Sequence, residues 1–588
     1  MERLEHYYAN ELQYLADAGR AFAERHPQEA ALLHPDNVRS RDPHVERLFE
    51  NFAFLSGSLR AKLEDELPEL SQSLLALLNP ACVRPVPALT TVRLVPDFSQ
   101  LTKTAHIPAG STIKANPMQI PSTGSRVTCV FKTCYDVELH PAELTSVRLT
   151  GPVEGKHAIE LDFTLRGAAQ WKDLGLDTMR LHLHGESFQL VYSLYYHLMR
   201  RVAKVELVGD SAADAVAGRI TPVGFGRDEA VIPYDVHTFP GFRLIHEYFC
   251  FAEKYLYVDI GGFSRMSVGA VSKGFTIRIR MTGEAPPWWR LSHQNFVPFC
   301  TPAVNLYPEH AYPIDLDLRR TEYPLMVDRR DPEAYAVHSV VSVSGRPIGE
   351  SAGESRTYRP FLSFRHGADG EEAYYHCTTR WTADNAPETY LSLVTPEGSG
   401  VHLPEQVISA DVVCFNGDFP RQLRPGDICH RGDDMSHLVK EAANLASPTA
   451  VRWPRSGGAT EWHFIAHLSL NAQSMANPDA LTAMLRLYEW TDDPANARRI
   501  SGLKRIAVSD DRAVMVRKGT VLQGMDVRAE LDEACFTEVG DALLFAEVLR
   551  HFLALFASIN SFVRLRVTRK GSVEEWEWPA LDGNQAIV

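Results

Sequence analysis

After the segment RPVPAL, residues 84–89, the sequence settles into short runs of alternating apolar and polar residues, and this pattern constrains the fold most. The runs TTVRLVPDF, VTCVFKTCYDVEL, LTSVRLTG and AIELDFTLRG are rich in β-branched residues and bounded by Gly, Pro, Asn or Asp. Strict alternation between turn residues is typical of half-buried β-strands. The same texture returns in residues 255–300 and 335–430, so these segments are predicted to be rich in strands as well.

Residues 1–26 have a different periodicity, which predicts a helix. Tyr8, Leu15 and Phe22 recur at intervals of seven, and Leu4 and Ala18 fill the four-residue steps between them. An apolar stripe of only three heptads is too short to form a stable helix alone in water. We therefore expect these five residues to bind helices of a partner.

A second helix is predicted to begin at Pro43, a residue favoured in the first helical position, and to run to about residue 65. His44 and Glu46 lie two residues apart and do not face each other on a helix, so a catalytic pair is not expected there. Phe54 lies on the charged side, which a contact with another subunit, or with residues 66–80, would explain. The apolar band on the other side consists of Val45, Leu48, Phe49, Phe52, Leu55, Leu59 and Leu63.

These periodicities predict an α+β multidomain fold, with a helical N-terminal region, β-rich domains and a C-terminal α/β unit. Helices are further predicted in residues 69–80, 189–202, 479–490 and 541–560, and residues 241–262 are predicted to be a helix followed by a buried strand. The segment WHFIAHLSL, residues 462–470, is predicted to be a strand. The predicted divisions are a helical region 1–85, a β-rich domain 86–210, a mixed segment 211–330, a β-rich domain 331–437, a linker 438–460 and a C-terminal α+β domain 461–588.

Charge and composition exclude several classes of function. Sixty basic and 74 acidic residues give a net charge of -14, which repels phosphate, so we expect no nucleic-acid partner. The N-terminus lacks the apolar core of a signal peptide. Residues 541–560 are apolar but include Glu547, Arg550 and His551, which predicts a buried helix and no direct membrane insertion. The nine cysteines are mostly isolated, as reduced core thiols are.

One cluster could hold a metal ion. On a strand, Glu461, His463 and His467 would share a face and could converge on a cation, which makes a metal-dependent enzyme the alternative function. The other interpretation is a hydrogen-bonded strand face, and it is favoured because no second ligand cluster lies nearby in the sequence. The surroundings of Cys300 predict a buried thiol with a raised pKa, and no nucleophile or phosphate-loop motif is present. We therefore expect neither catalysis nor a cofactor.

The segment APPWWRLSHQNF, residues 285–296, places Trp288 and Trp289 beside Arg290. This composition is enriched at the centres of protein interfaces. An aromatic strand edge inside a core is an equally good interpretation. Both tryptophans are therefore candidate interface residues.

Blocks along nearly the whole chain resemble the TssF (VasA/ImpG) family, the wedge subunit of the type VI secretion system baseplate. The resemblance is carried by YYANELQYL, DPHVERLFENFAFL with DELPEL and LLNP, GFRLIHEYFCFAEKYLYVDI, CTPAVNLY with AYPIDL, VVCFNGDFP, HLSLN and FAEVLRHFLALFASINSF. The segment 438–460 matches the family only loosely.

The resemblance implies a cytoplasmic structural protein without catalytic residues or cofactor, similar to the baseplate wedge proteins of contractile phage tails. It also implies that TssG is the direct partner, through helices of the N-terminal region, and that a second copy of TssF, TssK, TssE and the VgrG hub are neighbours in the assembled baseplate.

Overall fold

The computed structural model describes the chain from residue 79 to residue 583 with gaps, and single stretches before it. Before residue 79 it describes Leu12, Arg47, residues 50–56, Gln72 and residues 74–78. The gaps after residue 79 are 154–155, 211–214, 235–239, 268–270, 272, 318–319, 348–354, 362–372, 382–386, 395–404, 456–457, 469–476, 509–512, 518–519, 556, 558–560 and 573.

Contacts within the chain define two compact units. The smaller unit spans Met1–Val83 and Arg455–Ser469, and the larger unit spans Arg84–Pro454 and Leu470–Val588. The helices with printed bounds are α1 (Trp171–Leu174), α2 (Phe188–Arg200), α3 (Pro240–Cys250), α4 (Gly458–Leu468), α5 (Pro478–Tyr488), α6 (Pro494–Ser501) and α7 (Val539–Leu555). Residues 12, 47, 50–56, 72 and 74–78 are also helical, in the regions predicted to be helices.

The first sheet of the larger unit is antiparallel and six-stranded. Its strands come from distant parts of the chain, because residues 89–96 pair with residues about 200 and 350 positions further on. In spatial order they are β25 (Ile428–Arg431), β3 (Thr112–Ala115), β6 (Val130–Thr133), β16 (Cys300–Val304), β1 (Leu89–Pro96) and β26 (Val439–Asn444). Two short ribbons are β2 (Ala105–Ile107) with β7 (Val137–Leu139), and β4 (Met118–Gln119) with β5 (Arg126–Val127).

The second sheet has eight antiparallel strands. Apolar and polar residues alternate along these strands, so the two faces of the sheet differ. Leu161 and Ile277 are buried on one face, whereas on the other Arg278 pairs with Glu160 at 2.7 Å between Nε and Oε1. In spatial order its strands are β15 (Phe296–Pro298), β10 (Thr178–Leu183), β13 (Tyr257–Gly261), β12 (Val216–Pro222), β11 (Val202–Val208), β14 (Gly274–Met281), β9 (Lys156–Leu165) and β8 (Ala142–Val153).

The third sheet also has eight strands, seven of them along its main path, and has its own apolar core, which includes Val343, Leu391 and Val412. In spatial order its strands are β17 (Tyr307–His310), β24 (Gln406–Phe415), β20 (Ala336–Pro347), β21 (Arg356–Pro360), β22 (Tyr374–Trp381), β23 (Pro387–Val394) and β19 (Tyr323–Pro324), and β18 (Ile314–Leu316) also pairs with β24.

The fourth sheet is the predicted C-terminal α/β unit. Its strands β29 (Thr520–Leu531) and β30 (Ser561–Arg569) are parallel, and helix α7 is the crossover between them. Helix α7 is buried almost throughout because it also packs against α2 and α3. The remaining strands are β27 (Leu503–Val508), β28 (Ala513–Arg517), β31 (Glu575–Glu577) and β32 (Leu581–Asp582).

Several predicted elements are confirmed by this arrangement. Helices α2, α3, α5 and α7 lie where helices were predicted, and β13 is the buried strand that follows α3. None of the described helices is long and apolar enough to cross a membrane.

The strand predicted for residues 462–470 is wrong, because residues 462–468 belong to helix α4. Glu461 and Phe464 are buried while Trp462 and His463 are exposed, which is the three-to-four-residue period of a helix. Trp, Phe and Ala alternate with other residues in this run, which suggested a strand. The run is too short for a strand period and a helix period to be told apart. Residues 458–468 also group with the N-terminal region, whereas the sequence assigned residues 461–468 to the C-terminal domain.

The predicted linker 438–460 contains strand β26, so its first part is not a linker. Val92 lies opposite Asn444 and Leu94 opposite Ala442 in the pairing of β1 with β26. The alanine-rich composition hid this strand, since its stability comes from pairing and burial and not from β-branched side chains. The sheets also run across the predicted boundaries at residues 210 and 330.

Candidate partner-binding surface

The first set of predicted interface residues, on the helix of residues 1–26, lies outside the described residues. This set consists of Leu4, Tyr8, Leu15, Ala18 and Phe22.

The helical residues 50–56 expose large apolar side chains in several directions. Phe52 and Leu55 are each 58% exposed and Phe54 is 55% exposed, whereas Ala53 between them is fully buried. Steps of 100° per residue separate Phe54 from Phe52 by about 160° around the helix axis. The prediction for Phe54 therefore still stands as an interface candidate, and Phe52 and Leu55, which belong to the predicted apolar band, are also exposed. A helix that is apolar on several sides is normally enclosed by other helices.

Two more exposed apolar positions occur in the smaller unit. Leu74 and Leu78 lie four residues apart on one helical face and are partly exposed, whereas Leu75 is buried. On α4, Trp462 is 53% exposed. Gln72 Nε2 donates a hydrogen bond to Glu461 Oε1 at 2.9 Å, which joins α4 to the N-terminal segment. We define Phe52, Phe54, Leu55, Leu74, Leu78 and Trp462 as the helical surface.

The two adjacent tryptophans have different environments. Trp289 is buried, its Nε1 donates to Ser193 Oγ at 3.2 Å, and its ring lies 4.7 Å from that of His197. Trp289 is therefore a core residue of this chain, which contradicts its prediction as an interface residue. Trp288 is 43% exposed and stays a candidate for a contact with another protein.

The metal cluster predicted from Glu461, His463 and His467 is not supported. The carboxylate of Glu461 is buried and bonded to Gln72, and His463 is exposed two residues away on a helix, where it points in a different direction. The side chain of His467 lies outside the described residues. Within the part of the chain that the structure describes, no group of three or more His, Cys, Asp or Glu residues could hold a metal ion.

Ser342, Asp411 and His310 are the residue types of a hydrolytic triad, but they are not hydrogen-bonded to one another in the order that catalysis requires. Ser342 Oγ donates to Asp411 Oδ2, and His310 Nδ1 lies 2.6 Å from Asp411 Oδ1. The aspartate stands between the other two residues, so the imidazole does not accept the hydroxyl proton as a general base would. Burial raises the pKa of the Cys300 thiol, as predicted from its sequence surroundings, and this disfavours a thiolate nucleophile.

A buried ionic network ties α3 to residues 229–232 before it and to the turn after it, and periodicity alone did not reveal it. The carboxylate of Glu247 is fully buried, forms an ion pair with Lys254 Nζ, and accepts hydrogen bonds from the backbone amides of Val231 and Ile232 at 2.8 and 3.1 Å. Lys254 Nζ also donates to the carbonyl of Glu229 at 2.8 Å. The only sign of this network in the sequence was Lys254, a basic residue that follows the acidic Glu247 by seven positions in an aromatic segment.

Buried histidines make the stability of the larger unit dependent on pH. Burial lowers the pKa of five described histidines to about 3 or 4, below the value of about 6.5 in an unfolded chain. Their contribution is complete above pH 6.5 and is lost as the pH falls towards their folded pKa. Burial raises the pKa of Glu253 and Glu547 to about 7, which has the opposite effect between pH 4.5 and 7. The histidines are His140, His182, His246, His338 and His551.

Because the five histidines outnumber the two carboxyls, we expect the thermal unfolding midpoint to fall on the order of 5 °C between pH 7 and pH 5. Differential scanning fluorimetry at constant ionic strength measures this shift. An equal or higher midpoint at pH 5 would contradict the neutral, buried state of the histidines.

Comparison with known proteins supports a role in a protein assembly. The family model described as Type VI secretion system, TssF matches residues 1–585. The type VI secretion system component TssF1 of Pseudomonas aeruginosa is 29% identical over 625 residues, which cover 98% of each protein.

Two solved structures also match along the chain. One chain of the TssK-TssF-TssG baseplate subcomplex, solved by cryo-electron microscopy, superposes with a TM-score of 0.73 at 27% identity, covering 92% of this chain and 99% of that one. A chain of the baseplate complex from the type VI secretion system gives a TM-score of 0.64 at 25% identity, covering 99% and 100%. The protein is therefore a structural component of a type VI secretion baseplate. It belongs to the TssF family.

Proposed function

We propose that this chain is a wedge subunit of the type VI secretion baseplate that binds TssG through its helical surface and has TssK as a further neighbour. The observation that carries the proposal is the exposure of Phe52, Phe54 and Leu55 on several sides of one helix. Moving such side chains from water into an interface contributes roughly 25 cal/mol for each Å² of apolar area buried. The similar solved subcomplex contains TssK and TssG, which identifies the proteins to test.

The wider assembly follows from the same proposal. A second copy of this chain would supply another set of the N-terminal helices to a shared bundle, and TssE and the VgrG hub would be neighbours in the assembled baseplate. This function requires no enzymatic activity and no cofactor. It places the protein in the cytoplasm, docked at the inner membrane through its partners.

A charge substitution on the helical surface tests the TssG interface. We expect the combined variant Phe52→Asp, Phe54→Asp and Leu55→Asp to lose co-purification with TssG, because three carboxylates would have to be buried without partners. The matched control is Val341→Asp, which places a charge on an exposed apolar position of β20 in the third sheet. This control should bind TssG normally.

Circular dichroism and thermal unfolding of the triple variant show whether the sheets stay folded. We expect both to match the unsubstituted chain, and the same outcome for Leu15→Asp and for Phe22→Asp. Normal TssG binding by the triple variant would refute the assignment of this surface. A collapse of thermal stability would mean that these residues belong to the core of the chain itself.

A further inference from the structure

A cleft of about 350 Å³ in the larger unit is lined by residues of the first and second sheets, and Arg93 is among them. Arg93 comes from β1, Leu144 from β8, and His184 follows β10. His293 and Leu445 also line it. The cleft is separate from the helical surface in sequence and belongs to the other compact unit.

Arg93 lines this cleft, and one nitrogen of its guanidinium is buried without a hydrogen-bond partner. It lies on β1, opposite Cys300 on one neighbouring strand and Ala443 on the other. Its Nε is buried and has no hydrogen-bond partner, and none of the ion pairs among the described residues includes it. Buried polar groups in folded proteins are almost always paired, and a charged donor is the most costly to leave unpaired.

The segments that form the rim of the cleft are held in place by their own hydrogen bonds. Asn295 Nδ2 donates to the carbonyl of His184 at 3.0 Å, and the amide of His184 donates to the carbonyl of Asn295. The amide of Ser292 donates to Asn295 Oδ1 at 2.8 Å, which fixes the turn that carries His293 and Gln294. The rim is therefore rigid before any partner arrives, which lowers the entropic cost of binding.

We propose that this cleft binds a carboxylate side chain presented by a neighbouring protein of the baseplate. A guanidinium presents paired N–H donors that match a carboxylate, and the imidazoles of His184 and His293 are further donors at the rim. Val297 and Leu144 provide apolar walls for the stem of an acidic residue. Exposed Glu186 at the edge of the cleft opposes an incoming carboxylate, so the donors of Arg93, His184 and His293 have to outweigh this repulsion.

This inference rests on the proposed function, because it takes the occupant from an assembled baseplate. A protein partner is favoured over a free anion because His293, Gln294 and Glu186 are exposed at the rim. A protruding segment of another protein can therefore enter the cleft there.

The isolated chain provides the first test. Arg93 belongs to none of the ion pairs among the described residues, and its Nε is buried without a partner, so Arg93→Met should unfold at the same temperature as the unsubstituted chain or higher. A lower midpoint would show that Arg93 stabilises the fold, and would overturn the proposal. Arg93→Lys, which keeps the charge but loses the paired donors, serves as the second variant if Arg93→Met yields too little protein.

The complex provides the second test. The photocrosslinker benzoylphenylalanine is placed at Gln294 of the full chain, which is co-expressed with TssG and TssK and irradiated after purification. We expect crosslinks to a partner peptide that contains Asp or Glu, reduced at least about 10-fold by Arg93→Met or Arg93→Lys. Glu186→Gln, which removes a negative charge from the same cleft, should preserve or increase them.

The outcomes separate this inference from the proposed function. If no complex with TssG forms, the proposed function fails. If the complex forms but Gln294 gives no crosslink to another protein, or an equal yield with Arg93→Met, only the cleft assignment fails. Arg93-dependent binding of free citrate to the isolated chain, without any crosslink in the complex, would also overturn a protein-borne occupant.

Discussion

The variant Gly540→Ala is expected to unfold at a much lower temperature and to lose soluble yield, because a single added methyl group has no space. A Cβ on Gly540 would lie 1.8 Å from the carbonyl oxygen of Tyr192, and that oxygen belongs to the backbone of α2. Backbone atoms cannot rotate away as a flexible side chain can, so α7 and α2 would have to separate. Overpacking of this kind costs about 3 kcal/mol or more.

The matched control for this substitution is Gly283→Ala. A Cβ on Gly283 meets no atom within 4 Å, so this variant should keep the unfolding temperature of the unsubstituted chain. Thermal unfolding followed by circular dichroism compares the two. Equal unfolding temperatures for Gly540→Ala and Gly283→Ala would contradict the close contact of α7 with α2.

The variant Glu247→Ala should be the second strongly destabilised protein, with a cost of about 3 to 5 kcal/mol. It would leave the ammonium of Lys254 fully buried without its ion pair, and two backbone amides without an acceptor. Burial alone would raise the pKa of Glu247, but Lys254 and Arg243 hold it below its ordinary value. The contribution of Glu247 is therefore present at neutral pH and is lost as the pH falls below about 4.3.

A double variant separates the charge effect from the packing effect. Adding Lys254→Met to Glu247→Ala removes the unpaired charge, so the double variant should be more stable than the single variant. Unfolding temperatures of the four proteins of this cycle measure the coupling. Two results would show that the Glu247–Lys254 pair is not an essential buried contact. One is a Glu247→Ala variant as stable as the unsubstituted chain, and the other is a double variant less stable than Glu247→Ala.

The larger helices were predictable because their periodicity extends over many residues. In α7, apolar residues occupy nearly every position, and the buried Glu547 and Arg550 are accommodated by pairing with each other at 3.2 Å. The strand alternation of residues 158–167 was equally clear, since Ile159, Leu161 and Phe163 are buried in β9. Such elements follow from local pattern alone.

Pairing between distant segments was not predictable, because alternation does not specify a partner strand. Strand β26 was taken for a linker, although Leu94 lies opposite its Ala442 across about 350 residues of chain. Helix α4 was misassigned because seven residues of mixed polarity fit either period. In the helical surface, the position of Phe54 on the charged side of its helix was visible in the sequence. The exposure of Phe52 and Leu55 was not predictable, because it depends on which helices surround them.

Co-expression of the full chain with TssG, followed by size-exclusion chromatography with light scattering, tests the central claim most directly. The account predicts one stable complex with a mass above the 65.8 kDa of the chain alone. A monodisperse 65.8 kDa monomer that elutes unchanged in the presence of TssG would contradict it.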